Sequence, residues 1–414
     1  MSLALSLYRA VTALAEPLAG GILRGRAGRG KEDAARIGER LGHASAPRPA
    51  GPLVWLHAAS VGESVSLLPL IERLRAERPE VGVLVTSGTV TSAELLARRL
   101  PAGAVHQYAP VDGPGVARRF VDHWRPDLAV FVESELWPNL LAQARARGAK
   151  LALLSARITE DSARGWSRAP GAAKALLGRF DLILAQDRAS EARLKALGGK
   201  TAGVANLKLV GRPLAADPAA LAELKRAAGG RRIILAASTH PGEEEMIATV
   251  APADALLVIA PRHPEHGEAV VEALRMMDLT TARRSTGEPL TAATRAYVAD
   301  TLGEMGLLYA LADVAVMGGS FAPGIGGHNP LEPARLGVPV ITGPHVFNFA
   351  EVYEAMTAAG GAVMVEEPQA LYTLLANLTP GSLNAMGETA KAFANAGAAA
   401  LDETWSRLQP LLPR

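Results

Sequence analysis

A short polar turn carries the first residues whose types could do chemistry. In the run His57–Ser64, small residues permit a tight turn, and the leucines that follow predict a buried helix. Glu63 therefore lies near a helix N-terminus. It is either a general base at the end of a strand or an acid that the helix dipole favours in the first turn, and the sequence leaves both interpretations open.

A second polar run, Val132–Asn139, also ends an apolar stretch and precedes a helical one. Glu133 and Glu135 would lie at the same edge of a sheet, where carboxylates could orient a polyhydroxyl ligand. We group Ser60 with these two as residues that contact an acceptor or orient a sugar. The alternative is that Ser134 or Glu135 only caps the helix.

Glycines in the second half of the chain favour an anion site. Gly319 and Ser320 follow an apolar stretch, and the run Gly326–Ala334 comes shortly after. Glycines let backbone amides approach a phosphate, and Asn329 could cap the next helix, whose N-terminus supplies positive potential. Glu332 could accept hydrogen bonds from ribose hydroxyls. A plain turn would explain a glycine pair alone, but the full run is harder to assign to chance.

Two further polar runs, Ala236–Glu244 and Ala260–Glu265, each follow a predicted strand. Ser238 lies in the first run and Arg262 in the second. The Arg262 guanidinium could bind a phosphate or diphosphate as a fork, and Lys208 supplies another cation.

Other chemistries lack their signatures. Lone histidines such as His240, His263 and His328 are more often structural or exposed than ligands. No His-Glu-x-x-His run or carboxylate cluster has metal-ligand spacing, so we predict no metal and no cofactor. The phosphate-binding P-loop, the dinucleotide-binding glycine pattern and the Gly-x-Ser-x-Gly elbow are also missing from the sequence, which favours group transfer.

Alternating strands and helices must position these turns. Short apolar runs rich in β-branched residues alternate with helical stretches from residue 53 onward, which predicts parallel sheets built from β-α units. The predicted strands are Leu53–His57, Val81–Thr86, Leu128–Val132, Leu151–Leu154 and Leu182–Ala185, then Arg232–Ala237, Ala255–Ala260, Ala296–Val298, Val314–Met317 and Val338–Ile341.

This rhythm predicts an α/β fold of two doubly wound, Rossmann-like domains, and a length of 414 residues also favours two cores. Such sheets bind ligands at the carboxyl ends of their strands, so we expect the domains to face a central cleft. A predicted linker, Gly211–Gly230, separates an N-terminal domain (31–210) from a C-terminal domain (211–414). The helical tail Ser382–Gln409 could pack back on the N-terminal domain.

Composition narrows the class of protein. The chain is 49% hydrophobic and 20% charged, as in a folded soluble protein. Its formal net charge of +2 gives no support to a nucleic-acid partner. With no cysteine, the sequence excludes disulfides, thiolate nucleophiles and cysteine zinc sites, and it fits a reducing compartment.

The N-terminal segment, residues 1–30, predicts an anchor at a membrane surface. Met1–Ile22 is apolar, but Arg9, Glu16 and Pro17 interrupt it, which argues against a spanning helix. Its apolar residues recur every three or four positions and basic residues follow, as in an interfacial helix. The alternative is an ordinary amphipathic helix packed on the body. The apolar positions are Leu3, Leu7, Val11, Leu14, Leu18 and Ile22, and the basic ones are Arg24, Arg26, Arg29 and Lys31.

Taken together, these motifs resemble the bacterial 3-deoxy-D-manno-octulosonic acid (Kdo) transferases of lipopolysaccharide synthesis over nearly the whole chain. That family is similar to other metal-independent glycosyltransferases of the GT-B type, in which the N-terminal domain takes the acceptor and the C-terminal domain the nucleotide sugar. The runs that carry the resemblance are Lys31–Glu32, Arg36–Gly42, His57–Glu63, Glu133–Asn139, Ser238–Glu245, Pro261–Pro264, Gly318–Ser320, Gly326–Ala334 and Asn348–Phe349.

The resemblance implies inverting transfer of Kdo from CMP-Kdo to the lipid A precursor (lipid IVA). The expected location is the cytoplasmic face of the bacterial inner membrane, with peripheral or N-terminal attachment. Glu63 matches the catalytic base that is proposed for the family. The residues expected to bind the donor are Lys208, Ser238, Arg262, Gly319, Ser320, Asn329 and Glu332.

Two rival functions stay open at this point. A sugar-nucleotide epimerase shares such a two-domain architecture, but it has no use for a basic amphipathic anchor. The second rival is a non-catalytic, membrane-associated carbohydrate-binding protein, and Glu63 argues against it. Release of CMP from CMP-Kdo in the presence of the lipid acceptor would separate the three.

Overall fold

The chain folds into α/β structure built on two parallel sheets, which confirms the predicted fold class. A computed structural model describes residues 2–211 and 213–413. The predicted anchor and the predicted linker therefore each include one residue outside the description, Met1 and Arg212. Within the described residues, every strand pairing in both sheets is parallel.

The described chain divides into two compact units. The first unit contains the residues up to Val210 together with those from Gly397 onward, and the second contains the rest, from Gly211 to Ala396. The division therefore falls inside the last helix of the chain, Pro380–Leu408. Of Ala398 in that helix, only the backbone is described.

The first unit has the strand order of a doubly wound fold. Its sheet runs β3-β2-β1-β4-β5-β6, the order that typifies dinucleotide-binding domains. The strands are β1 (Leu53–Ala58), β2 (Gly82–Ser87), β3 (Ala104–Tyr108), β4 (Leu128–Val132), β5 (Lys150–Ala156) and β6 (Leu182–Ala185). The helices are α1 (Leu3–Ala15), α2 (Ala19–Ala27), α3 (Ile37–Arg40), α4 (Val61–Glu77), α5 (Val90–Arg99), α6 (Pro114–Trp124), α7 (Pro138–Ala146), α8 (Glu160–Ser167), α9 (Pro170–Leu177) and α10 (Arg188–Ala196).

The second unit repeats the same kind of winding around its own first strand. Its sheet runs β13-β12-β11-β7-β8-β10-β9. The strands are β7 (Ile233–Thr239), β8 (Leu256–Pro261), β9 (Thr281–Arg283), β10 (Ala296–Val298), β11 (Val314–Met317), β12 (Val340–Thr342) and β13 (Ala362–Met364). The helices are α11 (Pro218–Ala228), α12 (Glu243–Val250), α13 (Gly267–Met276), α14 (Met305–Leu311), α15 (Leu331–Arg335), α16 (Ala350–Ala359), α17 (Pro368–Asn377) and α18 (Pro380–Leu408).

Burial on both faces explains why the central strands are almost entirely apolar. Side chains of a strand alternate between faces, so Val54 and Leu56 enter one core of the first unit and Leu53 the other. Trp405 and Leu408, near the end of α18, join the same core as Val54. The C-terminal residues thereby cover one face of the first sheet.

The N-terminal segment contacts the body through polar groups. The Tyr8 hydroxyl donates to Asp112 over 2.9 Å, and the Glu16 carboxylate accepts the backbone N–H of Gly115 over 2.7 Å. The predicted apolar stripe is nevertheless exposed, with Leu3 at 87% and Leu14 at 82% of full exposure. The segment thus lies on the body, as the alternative interpretation holds, but it leaves its apolar stripe uncovered. No helix of the described residues is long and apolar enough to span a bilayer.

Candidate active site

Each unit places its polar turns beside the point where the strand order reverses. In the first sheet that point lies between β1 and β4, and in the second it lies between β7 and β11. Open α/β sheets bind ligands outside the carboxyl ends of the strands at such points. The turns after these four strands contain most of the predicted site residues. The topology of each sheet therefore places two of these turns next to each other, those after β1 and β4 in the first sheet and those after β7 and β11 in the second.

Glu63 and the N-cap residue Ser60 form an arrangement similar to a capping box at the start of α4, but the Glu63 carboxylate binds the N–H of the residue before the N-cap. Its Oε2 accepts the backbone N–H of Ala59 over 2.7 Å, and its Oε1 accepts the Ser60 hydroxyl over 2.8 Å. In return, Ser60 Oγ accepts the Glu63 N–H over 3.3 Å. The helix-terminus role of Glu63 is thus present in the structure, and the catalytic role stays a prediction. Only 9% of the residue is exposed, and the two bonds hold its carboxylate in one place.

A chain of hydrogen bonds through buried side chains fixes Glu135. The Trp55 indole N–H donates to Thr86 Oγ1, which lies 2.9 Å from His57 Nδ1. His57 Nε2 lies 3.0 Å from Glu135 Oε2, which also accepts the Trp137 indole N–H. Burial works to raise the pKa of Glu135, but the hydrogen bond and charge of His57 outweigh it, so the pKa lies below its ordinary value. Glu135 is therefore an ionised, oriented carboxylate.

Lys208 pairs with Glu133 in the first unit. The Lys208 Nζ lies 2.7 Å from Glu133 Oε1, so the structure brings this predicted donor-binding cation to a predicted acceptor-side carboxylate. Glu133 has a left-handed backbone with a φ of 55°, and Ser155 at the end of β5 has a φ of 47°. Such conformations cost about 1–3 kcal/mol each and persist where surrounding contacts enforce them.

The alternative interpretation, in which Ser134 or Glu135 caps α7, is wrong. The N-cap residue is Trp137, and its side chain makes no capping bond. The carboxylate of Asp112 caps the helix instead, because it accepts the backbone N–H groups of Asn139 and Leu140 over 3.1 and 2.8 Å. Glu133 and Glu135 therefore bind other partners, Lys208 and His57 respectively.

In the second unit, one buried carboxylate ties together the turns after β7 and β11. Glu243 Oε2 accepts the backbone N–H groups of His240 and Gly319 over 3.0 and 2.7 Å, and its Oε1 accepts that of Phe321 over 3.0 Å. Three N–H donors on one carboxylate fix the turns relative to each other. Sequence reasoning gave Glu243 no role, since an acid in a first helical turn is common.

Glycines allow these two turns to approach. A Cβ on Gly318 would lie 2.5 Å from the carbonyl oxygen of Ser238, which is far inside contact distance. Gly319 has a φ of +66°, a left-handed conformation that suits glycine. Ser238 itself has a φ of 56°. The glycine pair therefore serves close packing of the backbone.

The predicted donor residues near α15 contact one another. Asn329 Oδ1 accepts the Leu331 N–H over 3.1 Å, but Asn329 lies one residue before the N-cap of α15, which is Pro330. Burial raises the pKa of Glu332, against the opposing effects of Arg335, Asn329 and Arg262. The charge of Arg262 thus reaches Glu332, although the arginine side chain is exposed.

Ser320 is the most enclosed of the predicted donor residues. Its hydroxyl donates to the Met317 carbonyl over 2.6 Å and accepts the Gly343 N–H over 2.8 Å. These bonds hold the turn after β11. A contact between this side chain and the donor stays a prediction. Within the described residues, no group of three or more His, Cys, Asp or Glu side chains could hold a metal ion.

Comparison with solved structures bears on the fold. The crystal structure of MurG from Acinetobacter baumannii is similar to this chain with a TM-score of 0.55 and 13% sequence identity, over 86% of this chain and 100% of that one. At such low identity the similarity speaks for the fold alone. Together with the two doubly wound sheets and their polar switch points, it gives this chain the α/β GT-B fold of glycosyltransferases.

Sequence comparison shows the family. The family model of 3-deoxy-D-manno-octulosonic-acid transferase (Kdo transferase) matches residues 35–210. A probable mitochondrial 3-deoxy-D-manno-octulosonic acid transferase of Arabidopsis thaliana is 38% identical over 85% of this chain and 82% of its own length. The 3-deoxy-D-manno-octulosonic acid transferase of Bordetella pertussis is 36% identical over 89% of this chain and 90% of its own length. The chain belongs to the Kdo transferase family, which confirms the predicted resemblance.

Proposed function

We propose that this chain transfers Kdo from CMP-Kdo to a hydroxyl of the lipid A precursor (lipid IVA), with inversion and without a metal. Family membership carries the Kdo chemistry. The single structural observation that carries the mechanism is the fixed carboxylate of Glu63 at the switch point of the first unit. The donor, the acceptor and the stereochemistry are the parts that the experiments below must test.

The second unit is proposed to bind CMP-Kdo. The donor carries a phosphodiester and a sugar carboxylate, so it needs cations and backbone N–H groups. Arg262 is exposed, and its charge acts on Glu332. The Gly319 N–H already donates to Glu243, so Gly319 is proposed to allow close approach of the donor rather than to supply an N–H donor. Glu332 would accept hydrogen bonds from the ribose hydroxyls. These groups supply charge and shape for the nucleotide without a bound ion.

Glu63 is proposed to be the general base. A carboxylate has about four lone-pair sites, and the bonds from Ala59 and Ser60 use two of them, which leaves capacity for the acceptor hydroxyl. As that hydroxyl oxygen bonds to the anomeric carbon of Kdo, its proton passes to Glu63. The bond between the anomeric carbon and the phosphate oxygen breaks, and CMP leaves with the electron pair.

Inversion follows from a single displacement. One base that activates the acceptor on the face opposite the leaving CMP inverts the anomeric carbon, whereas retention usually requires a nucleophile on the other face. Negative charge grows on the leaving phosphate in the transition state. Lys208 and Arg262 are the cations proposed to stabilise it.

We also propose that the chain works at the cytoplasmic face of the bacterial inner membrane. A lipid acceptor is presented there, and the N-terminal segment offers an exposed apolar stripe with exposed Arg24, Arg29 and Lys31 close by in sequence. Apolar side chains beside basic ones bind anionic bilayers by burial and by charge. The polar contacts of Tyr8 and Glu16 hold the segment on the body with the stripe outward.

The direct test measures CMP release from CMP-Kdo with and without lipid IVA in mixed micelles. We expect release that depends on the lipid acceptor and persists in EDTA. Release that is equal without the acceptor would indicate donor hydrolysis and would refute the assigned acceptor. Absence of release under all conditions, from a protein that binds CMP-Kdo, would favour the non-catalytic alternative.

A further inference from the structure

Two histidine rings meet edge to edge in the second unit. His240 Nε2 and His328 Nε2 lie 3.0 Å apart, and the ring planes differ by 3°. The ring centroids are 5.3 Å apart. This centroid separation is close to the Nε2–Nε2 distance plus the distance from each Nε2 to the centroid of its own ring. Two rings have that separation when they lie in one plane with their Nε2 atoms facing each other. The geometry is therefore a hydrogen bond between imidazoles and not a face-to-face stack.

The fold fixes both rings among the proposed donor residues. His240 comes two residues after Ser238, and its backbone N–H donates to Glu243. His328 immediately precedes Asn329, and the Tyr353 hydroxyl donates to its carbonyl over 2.8 Å. A Cβ built on Gly319 would lie 3.0 Å from His328 Nε2, so the ring lies directly against the turn after β11.

This arrangement limits the pair to two protonation states. In the neutral pair, one Nε2–H donates to the lone pair of the other Nε2. A single added proton can go to Nδ1 of the donating ring, which leaves the hydrogen bond intact and makes it charge-assisted. A second added proton would place N–H groups on both facing nitrogens and break the bond. The pair can thus take up one proton and no more.

The charges around the pair are mostly positive. Arg262, His263 and His266 follow β8, and a positive charge on any of them disfavours protonation of His240. A positive charge on Arg262 or His263 also disfavours protonation of His328. Burial is the larger effect for both rings and lowers their pKa, that of His328 to about 4. Near neutral pH the pair is therefore uncharged in the absence of ligand.

The neighbouring carboxylates already have partners. Glu243 faces the pair from the first turn of α12 and its charge favours protonation of His240, but its oxygens already accept three backbone N–H groups. Glu332, on the helix that follows His328, interacts with Arg335 and Arg262. An anionic ligand would therefore be a further counter-charge that favours a protonated pair.

We propose that the His240–His328 pair takes up one proton from solvent when the anionic sugar nucleotide binds, and that the resulting cation stabilises the phosphate. The inference rests on the proposed donor site and deepens it. A buffer acid gives up the proton and an imidazole nitrogen gains it, so no bond of the ligand changes. During transfer, the charged pair lies where the leaving phosphate gains negative charge.

The sign of the pH dependence follows from linkage. A ligand that raises the pKa of the pair binds more tightly as the pH falls through the ligand-bound pKa, and the gain ends at the pKa of the free protein. Between these two pKa values, the affinity rises by up to about tenfold for each unit by which the pH falls, which is the largest change that uptake of one proton can produce. Proton uptake is largest over the same interval.

Isothermal titration calorimetry with cytidine 5′-(methyl phosphate) tests the proposal. Near pH 6.5 the phosphodiester is a monoanion and the cytosine ring is neutral, so the ligand's own titration does not contribute there. The full-length protein is titrated at about pH 6.5 in two buffers with different heats of ionisation, and the difference in heat gives the protons taken up. We expect uptake that approaches one proton and tighter binding at lower pH.

Single variants assign the proton. His240→Asn and His328→Asn each remove the pair, so either should abolish the uptake and flatten the pH dependence, with melting temperatures recorded to verify folding. His266→Asn removes an exposed neighbouring histidine and should keep both effects. Binding without uptake by the wild type, or uptake that persists in both pair variants, overturns this proposal alone. Failure of the wild type to bind the phosphodiester overturns the proposed donor site as well.

Discussion

Glu63→Gln separates the two roles of this residue because the structure predicts different outcomes for each. The glutamine Oε1 can still accept the Ala59 N–H, and its Nε2 can donate to Ser60 Oγ, so both capping contacts survive. What disappears is the negative charge at the helix N-terminus, worth about 0.3–1 kcal/mol. The variant should therefore fold and lose little stability.

Catalysis should respond far more strongly. An amide cannot take a proton, and loss of a general base costs about 10²- to 10⁴-fold in rate. At about 1.4 kcal/mol for each factor of ten, that loss equals about 3–6 kcal/mol of barrier, several times the expected loss of stability. Turnover should collapse while CMP affinity and melting temperature stay near the wild type.

Turnover, CMP affinity and melting temperature are measured on one preparation. Asp187→Asn is the matched control, since Asp187 caps α10 by accepting a backbone N–H and a hydroxyl, both from Ser190. It should show a similar small loss of stability and full turnover. An active Glu63→Gln protein that is only slightly destabilised would refute the general-base assignment.

Three further outcomes are expected. Arg262→Ala should weaken CMP binding by about 10- to 100-fold, because a charge-assisted contact contributes about 1.5–3 kcal/mol, and wild-type affinity in calorimetry would contradict this. Leu14→Glu should weaken flotation with anionic vesicles and leave the melting temperature unchanged, since that side chain is 82% exposed; unchanged flotation would remove the stripe from the membrane contact. Kdo transfer should be the same after dialysis against EDTA, and recovery of a lost activity by one divalent ion would contradict metal-independent chemistry.

The strands that sequence patterns missed are all at sheet edges. The central strands are buried on both faces and appear as continuous apolar runs, which makes them easy to predict. The three missed strands are β3, β9 and β13, and each lies at the end of its sheet. An edge strand has only one neighbour and is partly exposed, so its sequence carries less apolar signal. The sequence therefore predicts a doubly wound second unit, but it does not predict the two strands at the ends of its sheet.

Sequence spacing also located the polar turns, because each follows a buried strand. It could not assign the partners within them. The acid that caps α7 is Asp112, which is remote in sequence, and the carboxylate that joins two turns is Glu243. Left-handed backbone at Glu133 and Ser238 was equally hidden, since neither residue type demands it. Contacts between distant segments decide these features.

In the N-terminal segment, the sequence pattern predicts the spacing of the apolar residues but not whether they face the body or the solvent. An amphipathic stripe usually packs inward, and only the three-dimensional contacts show that polar groups such as Tyr8 bind the body. Leu5 is buried although it lies outside the predicted stripe. The structure thus identifies which apolar side chains are available to a bilayer.

Analysis of the lipid product tests the central claim most directly. Lipid IVA is incubated with CMP-Kdo and the purified chain, and the lipid is examined by mass spectrometry and by NMR of the anomeric carbon. We predict a lipid that has gained Kdo, with an anomeric configuration opposite to that of CMP-Kdo and one CMP released per Kdo transferred. Consumption of CMP-Kdo with unmodified lipid, or a product with retained configuration, would contradict the proposed reaction.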